Sequence, residues 1–448
     1  MRIYLLVLIL LAISLRHAFA EDAPSERVIG IKEAISLALK NNLEVKSESF
    51  KAPIAATDLA RIRGEFFPKI STMAGAGPIN GKKGNYSGYQ DTNTWGVEWV
   101  ASIEAKIPLY VWGVENNLKR AATLNTELNR VDVTKKQNEI VLKLKEAFYG
   151  WQYALSLLDF VSETQSDLDS AVKALEDKKS SKKEDILRLE VFKYQIEEKK
   201  IEIEKTVKLA ALGVAFYIGE SLTQDKKITF KNERGWIEFD QRELKDFNYY
   251  LEIMKAHYPD LLKVSKGIEA KSELLISEKK MERPYFGALL KYDYAKTNQR
   301  TAQKNPFIND SFNKSDVAFG LGITWDIDFG VKASKIDKLS LEIAELKSKE
   351  AFANEGLTVL LNKSYMEVQE TEARSTALKK AYKSAKKWLT NIGTSVSLGL
   401  TPAKDIIDAY TTRALVYKDY YESIYKYQMA WANLSNATGT EIDPILVN

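Results

Sequence analysis

The chain has 448 residues and carries 65 Lys+Arg against 61 Asp+Glu, a formal net charge of +4. With the two signs interspersed there is no concentrated cationic face for a phosphate backbone, so no nucleic acid is expected as a partner. The absence of cysteine excludes disulfides, thiolate zinc sites, iron–sulfur clusters and cysteine nucleophiles. Two histidines, His17 and His257, are too few for a multi-histidine metal site.

Met1-Arg2, the apolar run Ile3 to Leu15, and the exit Ala18-Phe19-Ala20 before Glu21 predict a secretory signal peptide over 1–20. A spanning anchor needs roughly 20 apolar residues, and Arg16 interrupts this run too soon. The expected mature chain is therefore exported, with no transmembrane helix and no cysteine after the signal to take an acyl anchor.

The remainder resembles itself. Leu43 corresponds to Pro259, Pro68 to Pro284, Gly113 to Gly330, Tyr149 to Tyr365, Asp185 to Asp405 and Gly219 to Gly439, at a nearly constant offset. The expectation is a first repeat over 21–220, a polar connector over 221–243, a second repeat over 244–440 and a tail over 441–448.

Within each repeat the hydrophobic period changes twice. Residues 31–64 carry a 3.6-residue pattern rich in Ala, Leu, Lys and Glu, which predicts a helix. Period 2 then takes over. Trp95, Val97, Trp99, Ala101, Ile103, Ala105 and Ile107 alternate with Gly96, Glu98, Ser102, Glu104 and Lys106, giving a strand with one apolar and one wet face. The second repeat does the same with Val317, Phe319, Leu321, Ile323, Trp325, Ile327 and Phe329, which alternate with Ala318, Gly320, Gly322, Thr324, Asp326 and Asp328. Strands are predicted at about 68–78, 94–108, 285–296 and 316–329, with polar loops over 80–93 and 297–315. Long helical hairpins follow, at about 114–218 and 331–438. Their returning arms carry heptads, Leu189, Ile196, Ile203 and Ala210 in one and Tyr410, Tyr417, Ile424 and Trp431 in the other, the signature of left-handed coiled-coil packing.

Strands with opposed apolar and charged faces fit either a soluble two-layer sandwich or a membrane barrel with lipid outside and water inside. Two hairpins separated by a long helical stretch, with Tyr110, Trp112, Trp95 and Trp325 near strand ends, favour the barrel. Four strands cannot close one, and open edges are not tolerated in hydrocarbon. Pooling strands among copies is the remaining solution.

The order of helix, Pro-led strand, strand, Pro108-Leu109-Tyr110-Val111-Trp112-Gly113, long helix, turn and long helix ending in Gly, and its duplication, resembles the TolC-type outer-membrane efflux proteins. Also similar are Ala34-Ile35-Ser36-Leu37-Ala38-Leu39-Lys40-Asn41-Asn42 and Gly399-Leu400-Thr401-Pro402-Ala403-Lys404-Asp405-Ile406-Ile407-Asp408-Ala409. The resemblance implies a mainly α fold with a transmembrane β part. The duplicated helix-strand-strand-helix-helix unit would assemble as a homotrimer, whose 12-stranded β-barrel in outer-membrane lipid is continuous with a long α-helical barrel in the periplasm. It further implies an exit duct of a tripartite efflux pump or type I secretion system, with a periplasmic adaptor (membrane fusion) protein and an inner-membrane transporter as partners.

Asp405 and Asp408 stand six and nine residues after Gly399, the spacing at which the family's aspartates line the closed tip. Three residues apart they share a helix face, and rings of carboxylates from three chains would attract cations. The same acids also suit a helix N-terminus capped by Thr401 with Pro402 at its first position. Asp185, the first-repeat counterpart, is implied in tip gating. Gly399, Leu400 and Thr401 mark the second tip turn, and Lys179 and Ser180 the first, where a Lys/Ser-rich run replaces the family's Val-Gly-Leu-type turn and points either to a solvated turn or to an adaptor with an acidic docking surface. Glu98, Glu104, Lys106, Asp326 and Asp328 are expected to face the barrel lumen. No catalytic constellation is present, and no enzyme activity, cofactor or metal is expected. A periplasmic coiled-coil scaffold or surface adhesin, with the strands as a soluble cap, is the alternative.

Overall fold

The computed structural model describes residues 27–85, 88–177, 183–220, 230–232, 237–398, 400–401 and 403–447; the signal-peptide region lies outside them. The first repeat runs β1 (Arg27–Ile29), α1 (Ile31–Asn41), α2 (Leu43–Ser49), α3 (Lys51–Glu65), β2 (Lys69–Asn85), β3 (Gly88–Tyr110), α4 (Val114–Glu176) and α5 (Lys183–Tyr217). After β4 (Phe230–Asn232), which pairs parallel with β1, come α6 (Phe247–His257), α7 (Pro259–Met281), β5 (Tyr285–Thr297), β6 (Lys314–Thr324), α8 (Val331–Ser397), α9 (Ala403–Thr438) and α10 (Pro444–Val447).

The expected single helix over 31–64 is broken at Asn42. Its Oδ1 accepts the Glu44 amide at 2.9 Å and the Val45 amide at 3.3 Å, capping a new helix. The equivalent break in the second repeat is made by other chemistry. Pro259 opens α7, and the residue before a proline is driven out of the helical region; Tyr258 sits at φ −67°, ψ 121°. Both breaks receive the end of the last helix of their repeat. Gly219 (φ +74°) lies against Asn41, where a Cβ would come within 2.8 Å of the carbonyl oxygen, and Gly439 (φ +79°) lies against His257 and Tyr258, where a Cβ would meet backbone at 2.7 Å. Left-handed backbone with no room for a side chain leaves only glycine at these two places. The duplication seen in sequence is thus a duplication of contacts.

The repeats do not fold as two separate bodies. Among the described residues, one compact unit gathers those within 27–48, 133–259 and 354–447, and the other those within 49–132 and 260–353, each drawing on both repeats. The first unit is helical. Ile140, Leu144, Phe148 and Trp151 of α4 are buried with Ala34 and Ala38 of α1, Val214 of α5 and Ile424 of α9. A second cluster joins Tyr250 and Met254 of α6 to Leu361 and Val368 of α8 and to Tyr427, Trp431 and Leu434 of α9. Burial of such stripes at about 1.5–3 kcal/mol per large side chain is what holds long helices that cannot bury themselves.

The second unit carries the sheet, with strand order β2-β3-β5-β6 and every pairing antiparallel. The central β3–β5 pairing joins the two repeats. Two bounds differ from expectation. The β2–β3 hairpin continues through the stretch expected as a loop, pairing Lys82 with Asp91 and Gly84 with Tyr89 beyond a register shift at Asn80/Lys82. The last strand stops at Thr324 rather than 329, because Asp328 is engaged elsewhere. Its Oδ1 accepts the Lys332 amide at 3.0 Å at the start of α8, while the Asp326 carbonyl takes the Lys332 ammonium at 2.6 Å. Neither Asp326 nor Asp328 therefore stands on a barrel strand; both belong to the strand-to-helix turn.

Candidate functional site

Register fixes which side chains share a face of the four-stranded sheet. Lys106 pairs with Lys69 on β2 and Leu289 on β5, Glu104 with Ser71 and Lys291, and Ser102 with Met73 and Asp293; Asp293 in turn pairs with Asp316, and Leu289 with Gly320. One face therefore collects Lys69, Glu98, Glu104, Lys106, Lys291, Asp293 and Asp316, with Gly75, Gly77, Gly320 and Gly322 between them. Along it Lys106 meets Glu104 at 2.6 Å and Lys291 meets Asp293 at 2.8 Å. The structure thus places Glu98, Glu104 and Lys106 together, with Lys291, Asp293 and Asp316 beside them.

The opposite face holds Ile70, Trp95, Val97, Trp99, Ile103, Phe286, Leu290, Tyr292, Val317, Phe319, Leu321 and Ile323, all exposed, with Phe319 at 70%. An apolar surface of this extent is rare on monomeric soluble proteins and marks a surface that another partner or a membrane covers. Among the described residues neither face of the sheet packs against a second sheet. The outer sides of β2 and β6 pair with no strand among the described residues. At the helix-side end of the sheet, Tyr110 packs edge-on against Trp112 at 5.0 Å. The Trp112 and Trp325 indoles donate to the Pro284 and Glu282 carbonyls at 2.6 and 3.0 Å.

In the helical unit, Asp405 lies in the first turn of α9 and is partly exposed, and Asp408 is exposed, while Ile406, Ala409 and Tyr410 of the same stretch are buried. The buried face packs on Leu168, Val172 and Leu189. Asp185 occupies the first turn of α5 and is partly exposed. Leu400 is exposed, its amide bonded to the Ser395 carbonyl at 2.9 Å, and Thr401 is half-buried. Gly399, Lys179 and Ser180 lie outside the described residues.

Sequence reasoning missed the polar centre of the tyrosine-rich helix. Arg413 is 3% exposed; its guanidinium meets Glu163 at 2.9 Å and Asp167 at 3.6 Å and lies over the Phe160 ring at 5.0 Å. Burial pulls the Arg413 pKa down, but the Glu163 charge and hydrogen bond outweigh it and leave it raised. Around it Phe160 stacks on Tyr417 at 3.9 Å and Tyr417 on Tyr421 at 4.3 Å. Burial pushes Tyr410 and Tyr420 up to about 12, so these phenols stay neutral near pH 7. The one signal in the sequence was a charged residue set within an otherwise apolar heptad seam.

Among the described residues no group of three or more His, Cys, Asp or Glu could hold a metal ion, and no helix is long and apolar enough to cross a membrane. An exposed apolar sheet face backed by a charged face is the pattern of strands with lipid on one side and water on the other. The sequence signature of the "Outer membrane efflux protein" family matches residues 34–197. The fold is that of several solved channels. Vibrio cholerae VceC shares 13% identity over 92% of this chain and 96% of its own, with a TM-score of 0.72. The Campylobacter jejuni CmeC outer membrane channel shares 12% over 91% and 85%, also at 0.72, and the open state of the Neisseria gonorrhoeae MtrE outer membrane channel 14% over 92% and 89%, at 0.71. No curated protein matches by sequence. Over residues 34–197 the chain is similar to the outer membrane efflux protein family, and it shares the fold of these solved outer membrane channels.

Proposed function

We propose that three copies of this chain form the exit duct of a tripartite efflux pump or type I secretion system, passive in itself and gated at the periplasmic ends of its helical hairpins. One observation carries the reading: a four-stranded sheet with an exposed apolar face, an exposed charged face and two edges that, among the described residues, pair with no further strand. Hydrocarbon tolerates the first face and not the edges. Closure by two copies gives eight strands and a core filled by side chains, whereas three give twelve and leave a water-filled lumen. Glu98, Glu104 and Lys106 then line that lumen with Lys291 and Asp293.

At the other end of the duct, Asp405 and Asp408 of three copies form two carboxylate rings that favour and bind cations, and Asp185 contributes to holding the tip closed. A periplasmic adaptor and an inner-membrane transporter complete the path; the energy comes from the transporter. The test is electrical. In planar bilayers the double variant Asp405→Ala with Asp408→Ala is expected to raise single-channel conductance and to lose block by a trivalent cation added on the helical side. Unchanged conductance and block remove both residues from the tip site. Recovery of the native chain as a water-soluble periplasmic rod removes the duct reading and leaves the scaffold.

A further inference from the structure

The polar face of the sheet is open along most of its length but not at the end remote from the helices. There Ala295 and Thr297 of β5 are 3% and 4% exposed, and Ile79 of β2 is buried beside them. All three sit on the charged face, by the pairings Ile79 with Gly96, Ala295 with Val100 and Thr297 with Glu98. At the same level on the opposite face, Trp95, Val97, Trp99 and Tyr294 remain exposed. Something covers one side only.

The cover is the segment between β5 and β6. Its first residues cross β3 and β2: the Val97 amide donates to Asn298 Oδ1 at 3.3 Å and the Lys82 amide to the Gln299 carbonyl at 2.9 Å. Gly96 makes room for it, since a Cβ there would stand 1.9 Å from the Gln299 side chain. The segment is internally built rather than loose. Asp310 accepts from the amides of Gln303, Phe312 and Asn313 at 2.7, 2.9 and 3.0 Å, the Thr297 amide donates to Asn313 Oδ1 at 3.3 Å, and the Arg300 guanidinium lies 4.1 Å over the Phe312 ring. Burial raises the Asp310 carboxyl, yet these backbone donors more than offset it and hold it below the usual range.

We propose that residues 298–313 form an inward-folded constriction at the outer mouth of the duct, a second restriction in series with the tip, which limits the size of solute that leaves. The inference rests on the duct reading, because only closure of the sheet turns its charged face into a lumen and brings three such segments toward one axis. Arg300 and Gln299 are its positioning residues, one stacked within the segment and one seated on the floor that Gly96 provides.

The chain's lack of cysteine permits a clean test on purified protein in detergent. Ala295→Cys is labelled with a fluorescein maleimide, once with the native segment and once with residues 300–312 replaced by a short Gly-Ser linker. Labelling is expected to be at least about tenfold faster without the segment, as for a site released from local protection. Gly320→Cys, on the open part of the same face, should label equally fast in both. Equal rates at position 295 overturn the cover. If the linker variant fails to fold, Arg300→Ala with Phe312→Ala provides the same comparison. In planar bilayers, in the Asp405→Ala, Asp408→Ala background so that the tip does not limit current, removing the segment is expected to raise conductance at least about twofold, and no rise overturns the constriction. Failure of the native chain to form any channel contradicts the duct reading instead, which the labelling contrast does not depend on.

Discussion

Arg242→Met is expected to cost about 3–5 kcal/mol, because it removes one partner of a buried ion pair and leaves the other charge without compensation. Arg242 and Asp443 are both buried and meet at 2.8 Å. The Arg242 guanidinium also contacts Gln428 and lies 5.6 Å from the Tyr427 ring and 5.7 Å from the Trp431 ring. Asp443 in turn takes the Ile445 amide at 3.0 Å, so the pair fastens the C-terminal segment to the helical core. Lys145, buried on α4, grips the same segment through Glu441 at 2.5 Å. Burial pushes the Asp443 pKa up against the opposing pull of Arg242, so loss of Arg242 removes the largest influence that favours the charged carboxylate. The check is thermal unfolding of the detergent-solubilised protein with a second variant alongside. Arg242→Met with Asp443→Leu, which removes both charges, should recover more than half of the loss. A double variant as unstable as the single one would show that packing, and not the orphaned carboxylate, sets the cost.

Phe319→Arg and Gly320→Arg, one residue apart, should behave as opposites. Phe319 is exposed on the apolar face, and arginine on the lipid face of a barrel strand costs about 2–4 kcal/mol near the bilayer midplane, repeated in each copy. At Gly320 an added Cβ meets nothing within 4 Å, and the charge would stand with Lys291 and Asp293 in water. Recovery of heat-modifiable protein from outer membranes should fall severely for the first and little for the second. A sheet that stood in water on both sides would tolerate both.

Why the alternation was legible and its limits were not follows from what each stretch faces. Between Trp95 and Ile107, and between Val317 and Ile323, one face is apolar and the opposite face is polar or small, and that contrast is written as period 2. Around Gly81, Lys82, Lys83 and Asp91 neither face is apolar, so the sequence alternates nothing and reads as a loop although the backbone ladder continues. Asp326 and Asp328 kept the alternating pattern past Thr324, where capping of α8 takes over from pairing. The helix break at Asn42 was hidden by the apolar stripe running through it, whereas Pro259 announced its counterpart. The pairs Arg242–Asp443 and Arg413–Glu163 join residues 201 and 250 positions apart; no local pattern encodes such partners.

A duct requires the sheet to be completed by its neighbours, and stoichiometry tests that most directly. Native mass spectrometry of the detergent-extracted protein, with imaging of the same particles, should give three chains and three-fold symmetry around a single pore. A monodisperse single chain, stable in water without detergent, would contradict it.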